Sequence, residues 1–168
     1  MSVNISGRTL GEDDFADFAL AEVRHAAGKL VFEITETAII EDPERAFAML
    51  DRFAAAGVGV SIDDFGTGLS SLAYLKRIRG QELKIDRSLV EGVAESQRDA
   101  MIVRSTIDLA HSLGLKVTAE GVETEEGFAL LAAMGCDQAQ GFLIAKPMPL
   151  RDLLRFLDNT PAELRNYG

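Results

Sequence analysis

The sequence predicts an α/β protein in which six parallel strands alternate with helices. Each β-branched segment is followed by a stretch of helical periodicity, and the strand candidates are Val3–Ile5, Leu30–Ile34, Val58–Ile62, Leu83–Ile85, Lys116–Ala119 and, more weakly, Gln138–Phe142. Such alternation implies parallel strands joined by right-handed crossovers. Each unit takes about 28 residues, close to the share of one unit in an eight-unit barrel of about 250 residues. The arithmetic therefore allows either six-eighths of a (β/α)8 barrel or a complete open sheet of six strands.

The helices are predicted from capping signals and from the spacing of apolar residues. Asp42 and Pro43 are typical of a helix start, and Gly57 of its end. The other predicted helices are Asp13–Ala27, one through Ile102–Leu113 that ends at Gly114, one that starts at Thr124 with two acids, and one that carries Leu150, Leu153, Leu154 and Leu157 on one face. No linker or charge block divides the chain, so we expect one domain over residues 1–159 and a tail over 160–168.

Composition restricts the classes of partner. The net charge is −10, from 27 acidic and 17 basic residues, which argues against binding of a nucleic-acid polymer through its phosphates. A small phosphorylated ligand stays possible if bound cations supply positive charge. No apolar run reaches the length of a membrane span, no secretory signal is visible, and Cys136 is the single cysteine. We therefore expect a cytoplasmic protein that does not insert into a membrane.

A polar or ionisable side chain lies at or just beyond the end of every predicted strand: Asn4, Glu33, Asp63 with Asp64, Lys84, Glu120 and Gln140. In parallel α/β architectures this edge of the sheet is where ligands bind. Taken singly, each residue has an ordinary explanation as a turn former, a helix cap or a solvated side chain. Together, the carboxylates and the Asn4 amide are hard oxygen ligands suited to Mg²⁺ or Mn²⁺, and a pair of such ions is the usual arrangement for phosphodiester hydrolysis. Lys84 is expected to orient water or to stabilise phosphate charge.

Six motifs in order resemble the EAL-domain family. They are Val3-Asn4-Ile5-Ser6, Glu33-Ile34-Thr35-Glu36, Asp63-Asp64-Phe65-Gly66-Thr67-Gly68, Leu83-Lys84-Ile85-Asp86, Ala119-Glu120-Gly121-Val122-Glu123 and Gln140-Gly141-Phe142. The resemblance implies a TIM-type barrel that binds cyclic di-GMP, and active members hydrolyse this nucleotide to linear pGpG with Mg²⁺ or Mn²⁺. The expected fold is then an incomplete (β/α)8 TIM-type barrel with about six βα units and parallel strands.

The resemblance also implies roles for individual residues. Metal ligands are expected at Asn4, Glu33, Asp63, Asp64 and Glu120, and catalytic roles at Lys84, Glu120 and Asp64. Ligand-binding roles are expected at Gln140, Glu123 and Asp86, while Glu36, Gly66 and Gly68 support the glycine-rich loop after the two aspartates.

The Glu-Ala-Leu motif that names the family does not occur in these residues. The resemblance therefore implies an N-terminally truncated domain with one metal-ligating carboxylate fewer and two open sheet edges. We expect a homo-oligomer, or a partner that covers those edges. Three functions remain open: a cyclic di-GMP phosphodiesterase with a two-metal site, a catalytically inactive cyclic di-GMP receptor or interaction module, and a remnant without ligand function.

Overall fold

The computed structural model describes residues 1–10, 12–23, 30–67, 75–78 and 80–159. Six strands form one parallel sheet in the order of the sequence. They are β1 Ser2–Ile5, β2 Val31–Thr35, β3 Gly59–Phe65, β4 Glu82–Ile85, β5 Lys116–Glu120 and β6 Gln138–Gln140. Among the described strands, β1 and β6 each pair on one side only. The predicted α/β class with six parallel strands is confirmed.

Most of the described helices lie between strands in the chain, and their buried side chains pack against one face of the sheet. Their bounds are α1 Gly7–Leu10, α2 Asp13–Val23, α3 Glu36–Glu41, α4 Pro43–Ala55, α5 Arg87–Val90, α6 Gln97–Ser112, α7 Glu125–Ala133 and α8 Leu150–Asn159. Two predicted caps are confirmed: Asp42 accepts a hydrogen bond from the N–H of Arg45, and Thr124 from that of Gly127. Such bonds satisfy amide groups that have no partner within the helix.

Alternation along the strands separates an apolar face from a polar one. In β3 and β4 the side chains of Val60, Ile62, Leu83 and Ile85 are buried in the core between sheet and helices. Their neighbours, including Asp63 and Lys84, point to the opposite, inner face. A TIM-type barrel usually fills its interior with branched apolar side chains. Here the inner face carries polar groups, which is typical of a site rather than of a packed core.

Two predicted strand ends differ from the structure. Strand β3 continues to Phe65 instead of ending at Ile62, and β6 ends at Gln140 instead of Phe142, because Gly141 onward turns back toward Val122. Helix α8 forms as predicted, but none of its residues is buried, and Leu150 and Leu154 are 69% and 55% exposed. Its apolar face therefore has no covering element in the described part of the chain.

The helix predicted over Asp13–Ala27 is described as far as Val23, where Ala16 and Ala19 are buried beside α4. The predicted tail 160–168 and residues 24–29 lie outside the described residues. None of the helices described here is both long enough and apolar enough to cross a membrane.

Candidate functional site

The centre of the site is the ammonium group of Lys84, which three carboxylates surround. Its Nζ atom lies 2.7 Å from Glu120 Oε1, 3.0 Å from Asp63 Oδ1 and 3.3 Å from Glu33 Oε2. These residues come from β5, β3 and β2 near the carboxyl ends of the strands, where the sequence analysis expected them. The Lys84 side chain is only 7% exposed, so its charge acts on the carboxylates with little screening by solvent. The structure thus brings Glu33, Asp63, Lys84 and Glu120 into one cluster.

A bulge in β3 brings Asp64 into the same cluster. Consecutive side chains of a regular strand point to opposite faces, so Asp63 and Asp64 would ordinarily diverge. Between Ile62 and Phe65, however, the register against β4 shifts, and Asp64 has a φ of +55°. As a result, one carboxylate oxygen each from Asp63, Asp64 and Glu120 lie within 4.8 Å of one another. The left-handed conformation is uncommon for non-glycine residues, although aspartate adopts it more readily than most.

Burial and the proximity of these charges shift three pKa values. Burial lowers the pKa of Lys84, but its hydrogen bonds to Glu120 and Asp63 outweigh that effect and raise the pKa above the ordinary lysine value. Burial raises the pKa of Asp64, and the charge of Asp63 raises it further. Burial also raises the pKa of Glu120, although the hydrogen bond from Lys84 opposes this. Lys84 is therefore a cation at neutral pH, whereas burial and the neighbouring carboxylates disfavour the ionised forms of Asp64 and Glu120.

The donor set fits divalent cations. Carboxylate oxygens are the ligands preferred by Mg²⁺ and Mn²⁺, and three of them converge in this cluster. The Oδ1 atom of Asp63 is buried and, apart from its contact with the Lys84 ammonium, has no hydrogen-bond donor among the described residues. A carboxylate oxygen with so few donors can accept a bound cation as a further partner. A cation would also relieve the repulsion that raises the pKa of Asp64.

The loop after the two aspartates is attached to helix α3. The Glu36 carboxylate is 6% exposed, and its Oε2 atom accepts a hydrogen bond of 3.2 Å from the N–H of Gly66. Gly66 has a φ of +103°, a conformation that is strained for a residue with a side chain, and a Cβ there would lie 2.3 Å from Leu89 Cδ1. The contact is consistent with the loop-supporting role that the resemblance implies for Glu36 and Gly66. Gly68 lies outside the described residues.

Four other predicted site residues lie around the cluster without entering it. Asn4 and Gln140 are exposed, and each is the register partner of a cluster residue, Glu33 and Glu120 respectively. Asp86 caps α5, where its Oδ1 atom accepts a hydrogen bond of 2.9 Å from the N–H of Ser88. Glu123 forms an ion pair of 3.0 Å with Arg87. The roles of all four in metal or ligand binding remain predictions.

Two polar features were missed in the sequence. Arg87 follows Asp86 at the same edge of the sheet. The search for polar residues at strand ends would have included it if the search had extended one residue further. Thr118 is 5% exposed and donates a hydrogen bond to Glu82 on the inner face. No local pattern distinguishes that pair, because the two residues are 36 positions apart.

Comparison with known proteins identifies the family. The family model of the EAL domain matches residues 1–147. The bifunctional diguanylate cyclase/cyclic di-GMP phosphodiesterase MucR of Pseudomonas aeruginosa is 42% identical over 157 residues, which are 92% of this chain and 23% of MucR. This chain thus spans about a quarter of that relative's length.

Solved structures agree with this assignment. The PaMucR phosphodiesterase in complex with c-di-GMP has a TM-score of 0.84 and 42% identity, over 90% of this chain and 63% of that one. The manganese/cy-diGMP complex of Klebsiella pneumoniae BlrP1 has a TM-score of 0.80 and 31% identity, over 87% of this chain and 38% of that one. The structural neighbours are EAL domains, which have a TIM-barrel-like fold, so the predicted barrel type is confirmed. This chain belongs to the EAL domain family.

Proposed function

We propose that this chain binds cyclic di-GMP and hydrolyses it to linear pGpG, with Mg²⁺ or Mn²⁺ held at the acidic cluster. The observation that carries the proposal is the convergence of Glu33, Asp63, Asp64 and Glu120 around Lys84 at the carboxyl ends of the strands. Two similarities support it: MucR is named as a cyclic di-GMP phosphodiesterase, and the BlrP1 complex contains both manganese and cyclic di-GMP.

The reaction needs a nucleophile, stabilisation of negative charge and a protonated leaving group. A water oxygen forms a bond to phosphorus, the bond from phosphorus to one ribose oxygen breaks, and that oxygen takes up a proton. Divalent cations held by Asn4, Glu33, Asp63, Asp64 and Glu120 would lower the pKa of the attacking water and neutralise phosphate charge. The remaining requirements fall to side chains of the cluster.

Lys84 and Glu120 are suited to complementary roles. Because the pKa of Lys84 is raised, its ammonium keeps a fixed positive charge beside the developing negative charge of the phosphate. Burial raises the pKa of Glu120, which makes its carboxylate a stronger base toward the attacking water. The 2.7 Å contact keeps the proposed proton acceptor, the Glu120 carboxylate, next to the positive charge of the Lys84 ammonium.

Incubation of the purified chain with cyclic di-GMP and Mn²⁺, followed by chromatography, tests the proposal. We expect linear pGpG from the wild type, and a loss of at least about a hundredfold in rate for Asp63→Asn and Glu120→Gln. Asp108→Asn, which removes an exposed carboxylate from α6, is the matched control and should leave the rate unchanged. Binding of the nucleotide without product would refute the hydrolase and support the receptor alternative.

A further inference from the structure

Arg87 lies at the edge of the site without contacting the acidic cluster. It follows β4 directly after Asp86, and its guanidinium forms two ion pairs: Nη1 lies 3.0 Å from Glu123 Oε1 and Nη2 lies 2.9 Å from Glu91 Oε1. Glu91 is four residues further along the same segment, whereas Glu123 belongs to the loop after β5. One arginine therefore links the segment that carries Lys84 to the loop that follows Glu120.

The aliphatic part of Arg87 packs against the backbone of that loop. Gly121 has a φ of +69°, and a Cβ at this position would lie 2.3 Å from Arg87 Cγ and 2.6 Å from Arg87 Cβ. Only a residue without a side chain permits so close an approach. The arginine thus contacts the loop twice, with its stem at Gly121 and with its guanidinium at Glu123.

The segment after β6 also holds this loop. The N–H of Val122 donates a hydrogen bond of 3.0 Å to the carbonyl of Gln140, and the carbonyl of Val122 accepts one of 3.1 Å from the N–H of Leu143. A Cβ at Gly141 would lie 2.1 Å from the Val122 oxygen. The loop Gly121–Glu123 is therefore held by two sets of contacts, one with Arg87 and one with residues 140–143, which together we call the clamp.

We propose that Arg87 is a positioning residue for Glu120, because it holds the loop that fixes where the β5 strand end lies. Glu120 immediately precedes Gly121, so movement of the loop moves the carboxylate relative to Lys84 and Asp63. The inference deepens the proposed function, since Glu120 is one of the proposed cation ligands. Outer partners that orient metal ligands commonly contribute tenfold or more to metal affinity.

Amide hydrogen exchange tests the clamp without reference to metal or activity. Arg87→Gln removes both ion pairs, and we expect the exchange rate of the Val122 amide to rise by a factor of roughly 1.5 to 5, the range for one exposed ion pair. Glu123→Gln should have a similar effect, and the double variant should exceed neither single variant, because both changes break the same contact. Glu91→Gln leaves the contact between Arg87 and Glu123 in place and should not change the exchange rate of the Val122 amide.

Mn²⁺ titration measures the consequence for the site. We expect Arg87→Gln to weaken Mn²⁺ binding about tenfold at an unchanged unfolding midpoint, and Arg87→Lys, which keeps one ion pair, to recover part of the affinity. Arg104→Gln is the control: it breaks another exposed pair, Arg104–Asp108 on α6, and should change neither the exchange rate of the Val122 amide nor the Mn²⁺ affinity.

Two results separate the possible failures. The positioning role would be overturned if Arg87→Gln left the exchange rate of the Val122 amide unchanged. It would also be overturned if a variant raised that exchange rate but left the Mn²⁺ affinity unchanged. Absence of Mn²⁺ binding by the wild type would instead contradict the proposed function. The exchange experiment would then still test whether Arg87 holds the loop Gly121–Glu123.

Discussion

Substitution of Asp64 by asparagine is expected to stabilise the metal-free protein while it damages the proposed cation site. Burial and the negative charge of Asp63 raise the pKa of Asp64, which means that its ionised form is unfavourable in the fold. Asparagine has nearly the same shape without the charge. It is also among the residues that best tolerate a positive φ, so the conformation at +55° is retained.

The size of the effect follows from the geometry. Carboxylate oxygens of Asp63, Asp64 and Glu120 lie within 4.8 Å of one another. Two unit charges at that separation repel by roughly 1 to 3.5 kcal/mol for effective dielectric constants of 80 and 20. The attraction of Lys84 for Asp64 offsets part of this repulsion. We therefore expect a net gain near the lower end, about 1 kcal/mol, which raises the midpoint of a domain of this size by about 2–4 °C.

Thermal unfolding with EDTA and then with Mn²⁺ provides the assay. Without metal, Asp64→Asn should unfold at the higher temperature. At a Mn²⁺ concentration of about 100 Kd the wild type gains roughly 2.7 kcal/mol, while the variant gains less, so the order reverses. Asp108→Asn removes a carboxylate that is paired with Arg104 and should leave the free energy of unfolding within about 0.5 kcal/mol of the wild-type value. A midpoint of Asp64→Asn at or below that of the wild type in EDTA would refute the electrostatic reasoning.

Three further predictions follow from the same structure. Burial raises the pKa of Asp137, but the hydrogen bond with His111 and other contacts outweigh it and lower the pKa below 3.8. Asp137 therefore contributes stability that is present above its unfolded pKa and is lost as pH falls through the lower folded value. In urea unfolding at pH 7, Asp137→Asn should lower the free energy of unfolding by about 1 kcal/mol. This difference should disappear in acid, where the wild-type carboxyl group is protonated. Because the pKa values of Asp64 and Glu120 are raised, protons compete with cations, and calorimetry should show Mn²⁺ affinity falling as pH decreases toward those values, earlier than for ordinary carboxylates. The edges of β1 and β6 that pair with no described strand, together with the exposed apolar face of α8, predict self-association. Sedimentation equilibrium showing only the 18.2 kDa monomer over a wide concentration range would contradict this prediction.

Features that depend on residues close together in the chain were determined by the sequence alone. Alternating apolar segments located all six strands, and the caps at Asp42 and Thr124 located two helix starts, because hydrogen bonds within one turn decide them. The carboxyl ends of parallel strands lie at one edge of a sheet, so Glu33, Lys84 and Glu120 could be expected together before any contact was known. Strand ends were less well predicted, since pairing with a neighbouring strand extends β3 and the turn at Gly141 shortens β6.

Contacts between distant segments were decided only by the tertiary structure. The bulge that turns Asp64 toward Asp63 arises from the register of β3 against β4, and no local pattern reports that register. The clamp of Arg87 on Gly121 needs two strand ends to lie side by side, although the residues are 34 positions apart in the chain. Periodicity likewise predicted the apolar face of α8 but not its exposure, because burial depends on which other surface reaches the helix.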